Sequence, residues 1–409
     1  MFAAVRNPTF RRVWAFGGFY YTYRATELAV LSWFVLVLTD SALSVALVGV
    51  SRIAPMFLFG LVAGSLSDQF SRPRLMAIGQ ASNLVAASAM VTLLAFDAAA
   101  FWHAHVMIFV TGATWALDYA SRRALLGDMF TGKALTNATS LDAGLVTGSN
   151  MVGPLLGTAL IRFVDFQGAY VGIALLTAGA FTLVLSIRAQ RPATGARPAG
   201  VSPLEQFRES VSLLRTNQVV LGAVLVTIVF NMMGWPFVQM VSVIARDRLA
   251  TGEVGFGLLL GGLGAGSLGG AALIAWIQPS SRGNVFVGGS ALHMLAAAMF
   301  ALAPWYPLAL VAMVLAGLGV AGFATMQPVI PLEAVTADQR GRAMGAIVLG
   351  IGFQAVGLAI LGVIAEAIGP RSAILVMVAA GLISLLILRT IFPALRDVRS
   401  RSANQQPEG

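Results

Sequence analysis

Residues 19–30 read FYYTYRATELAV, a stretch of apolar character that carries an arginine and a glutamate. Arg24 and Glu27 are three positions apart, so on a helix they share a face, with Tyr20 and Tyr23 on or beside it. Two kinds of chemistry follow. The pair could neutralise itself as an ion pair facing other helices. Alternatively, the guanidinium could hold a ligand while Glu27 takes up and releases a proton. Burial favours a neutral carboxyl and a nearby cation favours the ionised one, so such a group is poised between the two. Arg52 adds a second positive charge to the same class of position, and Asp118 is a second candidate proton carrier; Asp142 and Glu366 stand nearer predicted helix ends. Other chemistries are excluded. There is no cysteine, hence no disulfide, thiol nucleophile or Cys-ligated metal. No hydrolase triad or Gly-Lys-Ser/Thr phosphate loop is present, and no catalytic residue, metal site or cofactor is expected. His103 and His105 flank a predicted outer loop with Asp97, and His293 falls in an apolar segment. Gly264–Gly269 (GAGSLG) fits a dinucleotide pattern formally. It follows no strand and sits in an apolar run, which predicts close helix packing instead.

The elements that must position these residues are membrane helices. Of 409 residues, 58% are hydrophobic and 11% charged, against about a quarter charged in soluble domains. Apolar runs of about 20 residues, the length of a bilayer crossing, recur along the chain. They are continuous rather than alternating, which excludes a β-barrel. The runs predict an all-α membrane protein of twelve spans, at about 14–38, 43–66, 73–96, 101–121, 138–162, 167–188, 217–245, 254–276, 284–303, 306–331, 341–366 and 371–392. The first run is long and many follow it, so it reads as a span rather than a cleaved leader. Residues 1–188 form a first six-helix half and 217–395 a second. Residues 189–216 form a linker that ends in an amphipathic surface helix around Leu204–Leu214, and 396–409 form a tail.

With a cytoplasmic N-terminus, 20 of the 26 Lys and Arg fall on the inner side, including Arg122 and Arg123 in the loop after the fourth span. Only Arg162, Arg246, Arg248 and Arg371 fall outside, and Arg24 and Arg52 lie within spans. This asymmetry predicts that both termini and the linker are cytoplasmic. It also accounts for the +9 net charge without nucleic acid. Residues 122–141 align without gaps on 326–345, and the same offset pairs Gly153 with Gly357. Such a repeat predicts a duplicated carrier with a substrate path between its halves.

GSLSDQFSRPR, Gly64 to Arg74, lies between the second and third spans. It resembles the loop signature of the major facilitator superfamily at Gly64, Leu66, Asp68, Arg72 and Arg74. Gln69 and Ser71 depart from that pattern. The resemblance implies a gate in which Asp68 faces the start of the eleventh helix near Arg340 and Arg342, while Arg72 reaches Asp118. SNMVGPLLGT, Ser149 to Thr158, resembles the signature of that superfamily's exporters at Gly153, Pro154 and Gly157; Ser149 and Thr158 stand where glycines are usual. RNPTFRRVW before the first span, WFVLVLTDSALSVALVG after it, RRALL and ADQRGRAMG resemble one bacterial branch. That branch holds enterobactin-exporter-like and macrolide-efflux-like proteins.

The resemblance implies a monomeric secondary transporter in the bacterial inner membrane. It would export a siderophore, drug or related metabolite by alternating access, with proton antiport. Uptake with the same fold is the nearest alternative, and a sensor or scaffold without transport is the alternative of another class. The superfamily's first helix lines the cavity, which gives Arg24 and Glu27 an aqueous place to face. Arg24 stands where relatives carry a small or acidic residue, so their substrates do not carry over. The two buried cations point to an anionic or zwitterionic substrate. Trp115, Tyr119 and Asn150 in the first half, and Asn231, Trp235, Gln239, Gln327 and Gln354 in the second, could line an otherwise apolar path.

Overall fold

The computed structural model describes residues 4–130, 132–187, 212–336 and 339–393. The side chains of 57, 60–69, 120, 133 and 136 lie outside that description. Most of the linker is outside it as well, with 212–216 helical. Among the described residues the chain is helical with no strand.

The helices run as α1 (Pro8–Thr39), α2 (Ala42–Gln69), α3 (Arg72–Ala95), α4 (Phe101–Met129), α5 (132–163) and α6 (166–185). They continue as α7 (Gln218–Asp247), α8 (Glu253–Ile277), α9 (Arg282–Leu302), α10 (Tyr306–Glu333), α11 (Arg340–Ile368) and α12 (Pro370–Ile391). These rods follow the predicted spans. By length and apolarity, 8 stretches among the described residues can cross a membrane, one of them covering α5 and α6 together. The stretches that fall short do so for visible reasons. α1 carries Arg24, Glu27 and three tyrosines, α4 carries His103, His105 and Asp118, and α2 is described at its side chains only in part, over Ala42–Met56.

Local chemistry sets the ends. Asn7 caps α1, accepting from the backbone N–H of Thr9 at 2.8 Å and of Phe10 at 3.2 Å, ahead of Pro8. α5 and α6 part at Val164–Asp165, where Asp165 turns left-handed at φ 63° and its Oδ1 accepts from Gly168 N at 2.9 Å. Gly369, at φ +85°, makes the turn between α11 and α12 that a side chain would strain. α7 is interrupted by a π turn at Phe230–Gly234 and a tight turn at Trp235–Met240, where Pro236 removes a backbone donor.

The chain divides into two compact units, Met1–Ala199 with Ala250–Gly261, and Gly200–Leu249 with Gly262–Gly409. In the first unit α5 closes on α1 at Gly153. A β-carbon there would collide with Ala25 and the backbone of Thr22 and Thr26, and Thr26 Oγ1 donates to Gly153 O at 3.0 Å. Gly157 packs on Thr26 and Val30 in the same way. The glycines of the exporter-like signature therefore serve a helix crossing here. The N-terminal turn Ala4–Arg6 folds onto the α4–α5 connection. Ala4 is 0% exposed among Phe10, Leu126 and Ala138, and its N–H donates to Asn137 Oδ1.

In the second unit the rings of Phe230, Phe323 and Phe286 stack at 3.7 and 5.3 Å. His293 is fully buried, its Nδ1 at 3.0 Å from Ala316 O, with Phe230, Trp235 and Phe237 around it. Gly266 packs on the α10 backbone at Val314, which gives GAGSLG its expected packing role.

Candidate functional site

α1 carries the site in the first unit. Its apolar turns seat Phe16, Val30 and Leu31 in the core, and the same helix buries Arg24 at 6% exposure and Glu27 at 2%. Of the two alternatives that the spacing leaves open, the self-neutralised ion pair is not among the described ion pairs. Each side chain turns to other partners. The Arg24 guanidinium lies over Trp115 at 4.5 Å and Tyr20 at 5.4 Å from the ring centroids, a cation–π arrangement reaching from α1 to α4. Thr111, whose hydroxyl donates to Met107 O and Ile108 O, and the two cations Arg52 and Arg24 are the neighbours of Glu27. Arg52 Nη1 in turn is 3.5 Å from the backbone oxygen of Arg24. Two guanidinium groups and one carboxylate thus gather about one turn of α1.

A polar relay runs beside them. Tyr23 Oη donates to Gln80 Oε1 at 3.0 Å, Asn83 Nδ2 donates to Tyr23 Oη at 2.6 Å, and Thr114 Oγ1 donates to Asn83 Oδ1 at 2.8 Å. All four residues are buried, and the relay ties α1, α3 and α4. Glu27 Oε2, Tyr20 Oη, Gln80 Nε2 and Tyr170 Oη are buried with no hydrogen-bond partner among the described residues. Unpaired polar atoms of this kind are costly in an apolar interior and cluster where ligands, water or protons come and go.

Towards the N-terminal end of α1 the structure corrects two expectations. Arg122 is not a loop residue. α4 continues to Met129, and Arg122 is 1% exposed inside the unit. Its Nε and Nη2 donate to the two carboxylate oxygens of Asp118 at 3.0 and 3.3 Å, and its Nη1 reaches Val13 O at 3.3 Å and Asp142 Oδ1 at 3.5 Å. Rings of Phe16, Tyr20 and Tyr21 lie against it at 4.7, 5.5 and 4.9 Å, and Tyr21 Oη donates to Asp142 at 3.2 Å. Gly17 leaves the room this guanidinium occupies.

The second correction concerns Arg72. Asp118 is taken by Arg122, four residues along its own helix. The described carboxylate on Arg72 is Asp128, at the far end of α4, and Arg72 also donates to Ala124 O. A residue at the start of α3 reaches the neighbouring end of α4, and Asp118 lies almost three turns deeper. Gly64 and Asp68 lie in the part of α2 whose side chains are outside the described residues. Arg340 and Arg342 are exposed at the start of α11.

The remaining predicted residues divide between the units. Tyr119 stacks edge-on with Trp115 at 6.2 Å and carries Arg123 over its ring, so both aromatics adjoin the Arg24 site. Asn150 is exposed on α5. In the second unit Asn231 donates to Thr227 O at 2.9 Å, and Gln327 donates to the Thr227 hydroxyl at 3.4 Å. Trp235 stacks on His293, Gln239 is buried, and Gln354 is half-buried. Arg122, Asp128, Gln80, Asn83, Thr111 and Thr114 were not singled out as site residues from sequence. The one available signal was chemical: a polar residue such as Gln80 or Asn83 in mid-span needs a partner.

Comparison with known proteins agrees with this architecture. The transmembrane secretion effector family matches residues 1–408. A staphyloferrin A transporter of Staphylococcus aureus (strain NCTC 8325 / PS 47) is 25% identical over 133 residues, 32% of this chain and 33% of that protein, so the match spans about a third of the relative. Among solved structures, a POT family transporter superposes with a TM-score of 0.76 at 12% identity, over 94% of this chain and 96% of that one. A variant of the nucleoside transporter NupG gives 0.74 at 11%, over 94% and 100%. A bacterial homologue of the human lysosomal transporter Spinster gives 0.72 at 14%, over 95% and 99%. These likenesses carry the fold, which is that of membrane transporters. With helices throughout and a family match along nearly its whole length, the chain belongs to the transmembrane secretion effector family of the major facilitator superfamily.

Proposed function

We propose that this transporter exports a small molecule across the bacterial inner membrane by alternating access of two halves, 1–188 and 217–395, in exchange for protons. Both termini and the 189–216 linker face the cytoplasm, the working unit is a monomer, and Glu27 carries the proton. The observation behind this reading is the burial of Glu27 at 2% exposure beside two guanidinium groups, with one carboxylate oxygen unpartnered. Such a carboxyl changes protonation when its neighbours are occupied or vacated. Tyr23, Tyr170, Arg24 and Arg52 are the other titratable or charged groups around it. The secretion description of the family supports the outward direction, and the staphyloferrin A transporter supports a siderophore-like cargo over a broad drug range.

One observation favours a second reading, uptake of an organic anion together with a proton. Arg24 and Arg52 have no carboxylate within ion-pair distance among the described ion pairs, and an anion seated on them is held better when Glu27 is protonated. The two readings differ in sign. In proteoliposomes with an internal pH dye, exchange moves protons against the substrate and cotransport moves them with it. Substrate-driven proton movement that is unchanged in Glu27→Gln would overturn Glu27 as carrier.

A further inference from the structure

The buried charges of the first unit do not balance evenly. Arg122 is satisfied twice over, by Asp118 and Asp142. That leaves Glu27 as the interior carboxylate near both Arg24 and Arg52, and it pairs with neither among the described ion pairs; Asp118 also acts on Arg24, but its contact is to Arg122. Around Arg24 and Arg52 two cations therefore share one carboxylate, while Arg122 alone holds two. A buried guanidinium with no carboxylate in contact is open to a counter-ion brought by a ligand.

The surroundings are built to receive that counter-ion. Arg24 is more than nine-tenths buried, held between the Trp115 and Tyr20 rings, so its guanidinium is fixed before any ligand arrives. Arg52 reaches across from α2 to the backbone oxygen of Arg24, which brings both cations to the same turn. The Tyr20 hydroxyl is buried there without a partner and can act as a neutral donor. Guanidinium forks match a planar carboxylate, and the rings favour the carbon skeleton that comes with it.

We propose that Arg24 and Arg52 form an anion subsite for a carboxylate-bearing organic acid, with Trp115 and Tyr20 as its walls and Glu27 as the negative group the ligand displaces electrostatically. This rests on the α1 face being the substrate site, and not on the direction of transport or on proton coupling. Two consequences separate it from a structural role for the arginines. Removing the Glu27 charge takes away a repulsion, so Glu27→Gln must bind the acid more tightly than the unaltered protein. Esterifying the ligand removes the recognised group, so the ester must bind poorly.

The test is calorimetric titration of the full chain in lipid nanodiscs, with citrate as a compact polyacid and benzoate as an aromatic acid. Trimethyl citrate and inorganic phosphate are the controls. The expected result is binding of at least one acid at millimolar concentration or below, with little from the ester or phosphate. Arg52→Gln and Arg24→Gln should weaken it tenfold or more, and Glu27→Gln should strengthen it severalfold. Thr139→Ala, an exposed residue outside the site, should leave it unchanged. Absence of binding by both acids overturns the proposal, as does equal binding of citrate and its ester, phosphate binding as tight as either acid, or unchanged affinity in Arg52→Gln. Because Arg24→Gln removes a packed side chain, Glu27→Gln carries the decision if that variant misfolds: weaker or unaltered binding there also overturns it. Acid binding of the expected kind without any proton movement would instead count only against the coupling proposed above.

Discussion

Replacing Arg122 by alanine should be the most destabilising single change in the first unit. The side chain is 1% exposed and makes a two-pronged contact to Asp118, a third to Asp142 and a fourth to the Val13 carbonyl. Removing it leaves Asp118, itself 2% exposed, as a buried charge with its described ion-pair partner gone. Breaking a buried pair from one side costs about 3–5 kcal/mol. The three aromatic rings that flank the guanidinium lose contacts as well, at about 0.5–2 kcal/mol for a desolvated cation–π interaction. At roughly 2–4 °C per kcal/mol for a unit of this size, the melting temperature should fall by on the order of 10 °C. The assay is thermal unfolding in detergent followed by size-exclusion chromatography. The double variant Arg122→Gln with Asp118→Asn should recover much of the loss, because it removes both charges and keeps hydrogen-bonding shape. Arg24→Ala, whose guanidinium has no described carboxylate partner, should cost markedly less. Melting of Arg122→Ala within about 2 °C of the unaltered protein, roughly 1 kcal/mol on the same scale, would refute the argument. So would a double variant no more stable than Arg122→Gln alone.

Three further outcomes follow from other contacts. Arg72→Asp should abolish transport, and adding Asp128→Arg should restore part of it; stability should change by only about 1 kcal/mol, since both side chains are partly exposed. Gly153→Val should lower stability by about 1–3 kcal/mol through overpacking against Ala25 and Thr26, read as a reduced melting temperature, whereas Gly148→Ala, with open space at its β-carbon, should be neutral. His293→Leu should cost about 1–3 kcal/mol in the same melting assay, because the Ala316 carbonyl loses the contact it makes in a fully buried setting.

The rods of this fold were legible because apolar runs and their breaks are local. Asn7, Asp165 and Gly369 mark ends that a reader can find from residue type. The C-terminal end of α4 was not legible. RRALLGDM looks like a charged loop, and only the arrival of Val13 and Asp142 from other helices makes room for Arg122 inside. The polar face of α1 was recognised from spacing, but its pairing was not. Spacing of three brings Arg24 and Glu27 to one face, yet the rings of Tyr20 and Trp115 and the reach of Arg52 from α2 decide where each side chain goes. The same applies to Arg72, whose partner is set by how deep α4 extends past α3.

The N-terminal turn has a consequence for the order of synthesis. Ala4 is bonded to Asn137, 133 positions later in the chain, and is closed in by Leu126 and Ala138. Its binding place does not exist until α4 has been made and α5 has begun. This turn is thus among the last parts of the first unit to settle, and it acts as a clasp on helices already placed.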